Sequence, residues 1–191
     1  MKKLTILALS TIIAVSSLSL SVQAEGDNST YFGIGINQSK WNDSDTVSGV
    51  TVDVEYKKIN WKVLIGQQID DNFAVELQYA NFGKKDLVAN GTTVPIELSG
   101  KSIGIAGLYH FNADAAISPF VKLGYHSWDL KATAANASGK DDGNDVFYGV
   151  GVDGKINETI KYRVEFERMK VKSDNGNTNM DNIGVGLLFD F

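Results

Sequence analysis

Apolar side chains recur at every second position in eight separate runs between Phe32 and Phe191. That period of two admits strands and excludes amphipathic helices over those runs. The apolar rows are Phe32, Ile34, Ile36; Trp61, Val63, Ile65; Phe73, Val75, Leu77, Tyr79; and Ile103, Ile105, Tyr109, Phe111. They continue as Val121, Leu123, Tyr125; Val146, Tyr148, Val150, Val152; Ile160, Tyr162, Val164, Phe166; and Ile183, Val185, Leu187, Phe189, Phe191. The residues between them are small or polar, so each strand has one apolar face.

The spacing between runs alternates. Short connections fall at Asp70-Asp71-Asn72, at Asn112 to Ser118 and at Asn157-Glu158-Thr159. The others are long, polar and turn-rich: about Asn42 to Lys57, Lys84 to Leu98, Lys131 to Asp145 and Lys170 to Asn179. Short turns on one side and long loops on the other predict an all-β fold, an eight-stranded antiparallel up-and-down transmembrane β-barrel. Pro95 falls in a loop and Pro119 at a strand start, where a missing N–H does least harm. One segment breaks the pattern. Val50, Val52, Val54 and Tyr56 alternate on even positions and Ile59 to Ile65 on odd ones, which predicts a bulge or standing hairpin near Lys57-Lys58. An extension of the first two strands beyond the bilayer is the favoured form.

Residues 1–24 read as a secretory signal peptide. Lys2 and Lys3 supply the positive start, Leu4 to Val15 the apolar core, and Val22-Gln23-Ala24 the cleavage site. Removing 24 of the 191 residues leaves a single barrel domain over 25–191. Taking Lys2 and Lys3 from 18 cations, against 23 carboxylates, leaves a net charge of −7, a poor match to nucleic acid. The chain has no cysteine, so an exported fold of this size is held without disulfides. Its mean hydropathy of −0.11 suits a soluble protein, but membrane strands alternate lipid-facing and lumen-facing residues and average out.

Two eight-stranded solutions compete, a soluble barrel with an apolar interior and a membrane barrel with a polar one. Lys62, Glu76, Gln78, Lys122, Asp153, Arg163, Glu165 and Glu167 all lie opposite the apolar rows. Gly33, Gly35, Gly104, Gly124, Gly149, Gly151, Gly184 and Gly186 share their face. Inside a narrow barrel small residues make room for long ionic side chains, whereas on a wet outer face they only weaken strands. The charged face is therefore placed inside. Phe73, Phe111, Phe189 and Phe191 near the short turns, with Tyr79, Tyr125 and Tyr148 nearer the loops, fit two interfacial girdles.

Pairing Ile156 with Ile160 around the last short turn sets Asp153 opposite Arg163, with Glu165 and Glu167 following and Lys122 one strand beyond. Around Asp70-Asp71-Asn72, either same-parity register is expected to bring Lys62 close to Gln78 and its neighbours. The eight residues form an expected ionic network filling the lumen. A structural lumen is preferred to a gated ion path, because barrels of this size are usually filled by side chains.

The final strand, Ile183-Gly184-Val185-Gly186-Leu187-Leu188-Phe189-Asp190-Phe191, ends in a free phenylalanine. With Ser118-Pro119-Phe120-Val121-Lys122-Leu123-Gly124-Tyr125, Tyr148 to Val152 and Arg163 to Glu167, it resembles the eight-stranded outer-membrane barrels of Gram-negative bacteria. These include the OmpA transmembrane domain, OmpX and opacity-type porins, and the resemblance covers Thr30 to Phe191. It implies a monomer in the cell outer membrane, in contact with membrane lipid and lipopolysaccharide, with Phe189 and Phe191 read by the barrel-assembly machinery. It also implies a structural or adhesin-like role through four extracellular loops meeting an extracellular ligand, or else a small low-conductance pore. No second domain resembling the peptidoglycan-binding part of OmpA is expected, so that anchoring role is not carried over.

No enzyme, cofactor or metal site is expected. Lipid A deacylases of this shape use a His and a Ser two apart on one face, whereas His126 and Ser127 are adjacent and point to opposite faces. His110 is expected in the lumen or at an interface. Two histidines and no cysteine make a transition-metal site improbable. Asp141-Asp142-Gly143-Asn144-Asp145 and Asp174-Asn175-Gly176 lack the spacing of a calcium loop and read as solvated turns.

Overall fold

The computed structural model describes residues 29–47, 50–89, 92–112, 115–134, 137–173 and 176–191. The signal peptide expected over 1–24 lies outside them. Eight strands follow in order: β1 Thr30–Val47, β2 Val50–Gln68, β3 Phe73–Ala89, β4 Thr92–His110, β5 Ile117–Ala134, β6 Ala137–Lys155, β7 Ile160–Ser173 and β8 Gly176–Asp190. Each pairs antiparallel with the next and β8 closes onto β1, a closed up-and-down barrel.

Burial alternates along each strand as the period of two requires. Ile34, Ile36, Ile105, Leu123, Tyr125, Val150, Ile183 and Val185 are each more than half exposed. A belt of large apolar side chains this continuous is stable against hydrocarbon, not against water.

The short turns carry their own fixings. The Asp70 carboxylate accepts from the N–H of Asn72 and of Phe73, both at 2.8 Å. The Asn157 amide oxygen does the same for Thr159 at 2.9 Å and Ile160 at 2.8 Å. These are the local side-chain bonds that make Asp and Asn turn formers. At the same end the Phe191 N–H donates to the Thr30 carbonyl at 2.9 Å, tying the last residue to the first strand.

On the other side the four long connections differ from the expected loops. They continue the strands, and hairpins pair as far as Val47↔Val50, Ala89↔Thr92, Ala134↔Ala137 and Ser173↔Gly176. Polar composition reads as turn there because alternation fades. Above the bilayer both faces of a hairpin meet water, so the ladder persists without an apolar face to mark it. The extension favoured for β1 and β2 thus holds for all four hairpins.

The β1–β2 register runs unbroken from Thr30↔Gln67 to Val47↔Val50. A register shift brackets Lys57-Lys58 in the pairing of β2 with β3, between Glu55 and Trp61, and β3 shifts against β4 as well, between Asp86 and Val88 and between Asn81 and Gly83. Gly83 sits there at φ +70, a left-handed conformation, and its N–H donates to the Asn81 side chain at 2.9 Å. A glycine at this position of a bulge avoids the strain a Cβ would bring. Two seams open on the same side. Among the described residues, β6 and β7 pair only as far as Phe147↔Met169, and β1 and β8 only to Trp41↔Met180, although the strands continue.

Candidate functional site in the barrel lumen

The lumen is layered, and the backbone register explains how. Asp153 stands opposite Arg163 across β6 and β7. The guanidinium grips the carboxylate with two bonds, Nε to Oδ1 at 2.7 Å and Nη2 to Oδ2 at 2.8 Å, and Nη1 reaches Glu76 on β3 at 2.5 Å. Lys122 on β5 touches Glu76 at 2.9 Å, Glu165 at 3.0 Å and Glu167 at 3.2 Å. Lys62 on β2 contacts Glu165 and lies 3.0 Å from Glu167. Gln78 is a marginal member, its oxygen 3.5 Å from Lys122. All eight side chains nominated from the sequence are buried.

Lys62 stands opposite Ala80, the inward neighbour of Gln78 on β3, and its ammonium crosses the lumen to β7. Register within a hairpin is readable from a turn, but reach across the barrel depends on which strands face each other.

Glycines make the crossing possible. Lys122, Gly149 and Glu167 share one row over β5, β6 and β7, and a Cβ on Gly149 would lie 2.6 Å from the Phe166 carbonyl and 3.1 Å from the Glu167 Cγ. Gly151 gives its space to the Phe120 ring, which a Cβ would approach to 2.6 Å. That ring in turn lies beneath Arg163, whose Cζ is 4.6 Å from the centroid, within cation–π range.

Two further residues join the layer: His110, expected in the lumen or at an interface, and Tyr31, which is not among the expected lumen residues. The Tyr31 hydroxyl donates to Glu76 at 2.7 Å, and His110 Nε2 lies 3.2 Å from Asp153 Oδ2. Inward parity is the signal that could have found Tyr31. Toward the long hairpins follows an uncharged layer of Asn37, Ser39, Asn60 and Asn182. There Asn60 donates to Ser39, whose hydroxyl donates to Asn182. Beyond it Phe82, Met169, Val171 and Met180 are buried.

His126 is buried and Ser127 exposed, on opposite faces as expected. His126 meets a different serine: Ser102 Oγ is 3.0 Å from Nδ1, while Nε2 is 3.0 Å from the Lys170 carbonyl. The carbonyl fixes the Nε2 proton, so Nδ1 accepts from Ser102. Both side chains are enclosed, which suits a structural bond and leaves the hydroxyl no approach for a substrate.

Asp141 to Asp145 lie on β6 and not in a loop. Asp145 points inward, where its carboxylate accepts from the Trp128 indole at 3.0 Å and from the Lys172 N–H at 2.8 Å, across the seam between β6 and β7. Among the described residues no three His, Asp or Glu side chains are grouped to hold a metal. Asp174 and Asn175 lie outside the described residues.

A closed eight-stranded wall with an apolar exterior and an ionic interior is the arrangement that the family comparison meets. Residues 10–191 match the outer membrane protein beta-barrel domain. The chain belongs to that family. An uncharacterized protein of Haemophilus influenzae is 27% identical over 139 residues, covering 68% of this chain and 74% of that one. Among solved structures, Neisserial surface protein A superposes with a TM-score of 0.66 at 14% identity, covering 85% of this chain and 97% of that one. OprG of Pseudomonas aeruginosa gives 0.67 at 14%, covering 87% and 98%. Ail, the attachment invasion locus protein of Yersinia pestis, gives 0.59 at 15%, covering 86% and 99%. At these identities the structural likeness is one of fold.

Proposed function

We propose that this family member is a monomeric surface-interaction barrel, exported with removal of residues 1–24, whose lumen is closed and whose four long hairpins meet an extracellular ligand. The observation that carries the reading is strand length. The strands run from 14 residues in β7 to 19 in β2, β4 and β6, where about 9–11 tilted residues cross a bilayer. At about 3.3 Å per residue the surplus lets the hairpins stand on the order of 20 Å beyond the lipid. Short turns of such barrels face the periplasm and the long side faces out. The names of two fold neighbours, a Neisserial surface protein and an attachment invasion protein, support a surface role. The latter has also been solved with the heparin analogue sucrose octasulfate.

Contact with lipopolysaccharide is supported by the outward residues beyond the apolar belt. Lys40 pairs with Lys57 on one side and Asp181 on the other, and Asp181 binds Arg168 at 2.5 Å. Cations at this height suit lipid phosphates. The exposed Phe191 and its neighbour Phe189 serve on this reading as the signal for the barrel-assembly machinery.

The test is a register-guided truncation. Leu130 and Asp141 are partners, so joining them through an Asn-Gly turn removes the β5–β6 tip and keeps the ladder. Binding to host-cell surface and to heparin is expected to fall, with gel mobility unchanged and planar bilayers silent before and after. Stepwise conductance that shifts in Arg163→Ala would sink the closed-lumen reading and leave a small pore.

A further inference from the structure

β7 and β8 leave the barrel wall together. The pairs Phe147↔Met169, Met169↔Met180 and Trp41↔Met180 form one row across β6, β7, β8 and β1. Among the described residues, that row is where β7 stops pairing with β6 and β8 stops pairing with β1. Above it the two strands keep only each other, through Lys170↔Asn179, Val171↔Thr178, Lys172↔Asn177 and Ser173↔Gly176. Losing both flanks on one row leaves a short hairpin with a hinge line beneath it.

The bonds above that row say which way the hairpin has turned. Continued past Phe147↔Met169, the register would set Val146 opposite Lys170 and Asn144 opposite Lys172. Instead the Lys170 carbonyl accepts from His126 Nε2 at 3.0 Å, and the Lys172 N–H donates to Asp145 Oδ2 at 2.8 Å. His126 on β5 and Asp145 on β6 are buried residues of the inward face. Backbone groups that would meet a neighbouring strand in the wall therefore meet side chains inside it. The hairpin is tilted inward over the lumen. Val171, which has inward parity, is 3% exposed there, and Met169 and Met180 on the hinge row belong to the same buried apolar cluster as Phe82 and Phe147.

The same backbone has a second arrangement open to it. Set upright, the hairpin would exchange its two side-chain bonds for ladder bonds to Val146 and Asn144 on β6. One hydrogen bond exchanged for another changes the net free energy little, and an element with two comparable packings is the material of a switch. We propose that residues 170–173 and 176–179 are a lid over the upper lumen, hinged on the row from Phe147 to Trp41 and latched by His126 and Asp145. Opening it admits solvent from above the hairpins to the apolar upper lumen, while the ionic layer below the hinge stays shut.

The chain has no cysteine, so one introduced thiol reports on one position. Val171→Cys marks the underside of the lid. Ala106→Cys, at a site 2% exposed and opposite Glu76, marks the interior below the hinge. Both variants are refolded in micelles, checked by gel mobility without boiling, and treated with a charged maleimide. Val171→Cys should be labelled at least about tenfold faster than Ala106→Cys, at a rate that low urea barely changes, because a local opening exposes little surface. Adding His126→Phe, which keeps a ring and removes the donor, or Asp145→Ala should each speed labelling of Val171→Cys about tenfold and leave Ala106→Cys where it was. Hydrogen exchange on the unsubstituted protein gives a second reading: the amides of 170–172 and 178–179 should open as one group, ahead of those of 149–152. Labelling of Val171→Cys no faster than of Ala106→Cys, or rates unmoved by both latch variants, would show a fixed plug and overturn the proposal.

Discussion

Replacing Arg163 by methionine keeps much of the side-chain volume and removes a cation that serves two carboxylates from different strands, Glu76 on β3 and Asp153 on β6. In the native lumen Lys62, Lys122 and Arg163 face Glu76, Asp153, Glu165 and Glu167, three cations against four carboxylates. The variant leaves two against four. Among the described residues Asp153 retains only His110 at 3.2 Å, while Glu76 keeps Lys122 at 2.9 Å and the Tyr31 hydroxyl at 2.7 Å. Breaking a buried pair from one side costs about 3–5 kcal/mol, and the partners left to Glu76 set the expectation at the lower end, about 3 kcal/mol. Lys161→Ala, which removes a half-exposed pair with Asp190, should cost no more than about 1 kcal/mol. Urea titration in lipid vesicles, read by tryptophan fluorescence and by the mobility of unboiled samples, measures both. Adding Asp153→Asn to Arg163→Met should recover part of the loss, since it removes the charge left bare. Equal effects of Arg163→Met and Lys161→Ala, or no recovery in the double variant, would refute a water-excluded, coupled network.

Other expectations follow from packing and pairing. Gly151→Val should destabilise by about 1–3 kcal/mol, because its Cβ would meet the Phe120 ring and the Val164 carbonyl at 2.6 Å, whereas Gly107→Ala, with open space around it, should be neutral in the same urea assay. Asp145→Ala removes the acceptor of both the Trp128 indole and the Lys172 N–H, so hydrogen exchange at Lys172 and in the upper part of β6 should accelerate while the lower barrel keeps its protection. Deleting Phe191 should lower the yield of folded barrel in cells while leaving refolding into detergent intact, and unchanged yield would remove the assembly role given to it.

The fold was legible because lipid on one side and packed side chains on the other impose alternation on every membrane-spanning strand. The inward set from Lys62 to Glu167 was legible for the same reason, and the Asp153–Arg163 pair because a three-residue turn fixes its register. What failed depends on geometry with no local trace. That the Lys62 ammonium reaches Glu167 on β7 is not readable from a turn, since contacts across a closed barrel follow strand order and shear. The phase change near Lys57-Lys58 marks the register shift between Glu55 and Trp61, but it does not reveal that β3 also shifts against β4 between Asn81 and Gly83. The long hairpins were read as loops where solvent on both faces erased the period. Tyr31 and His110 carried the right parity, but an aromatic ring and a lone histidine do not announce a carboxylate partner from a distant strand.

The early end of the β6–β7 ladder at Phe147↔Met169 has a consequence for how such a protein can change. Below that pair every strand is clamped by two neighbours, and an insertion would slip a whole row of side chains from lipid to lumen. Above it the β5–β6 hairpin is bound through its own ladder and along one flank, so length gained or lost at its tip is absorbed locally. Changes in length and composition can therefore accumulate in the hairpins without passing into the wall below them.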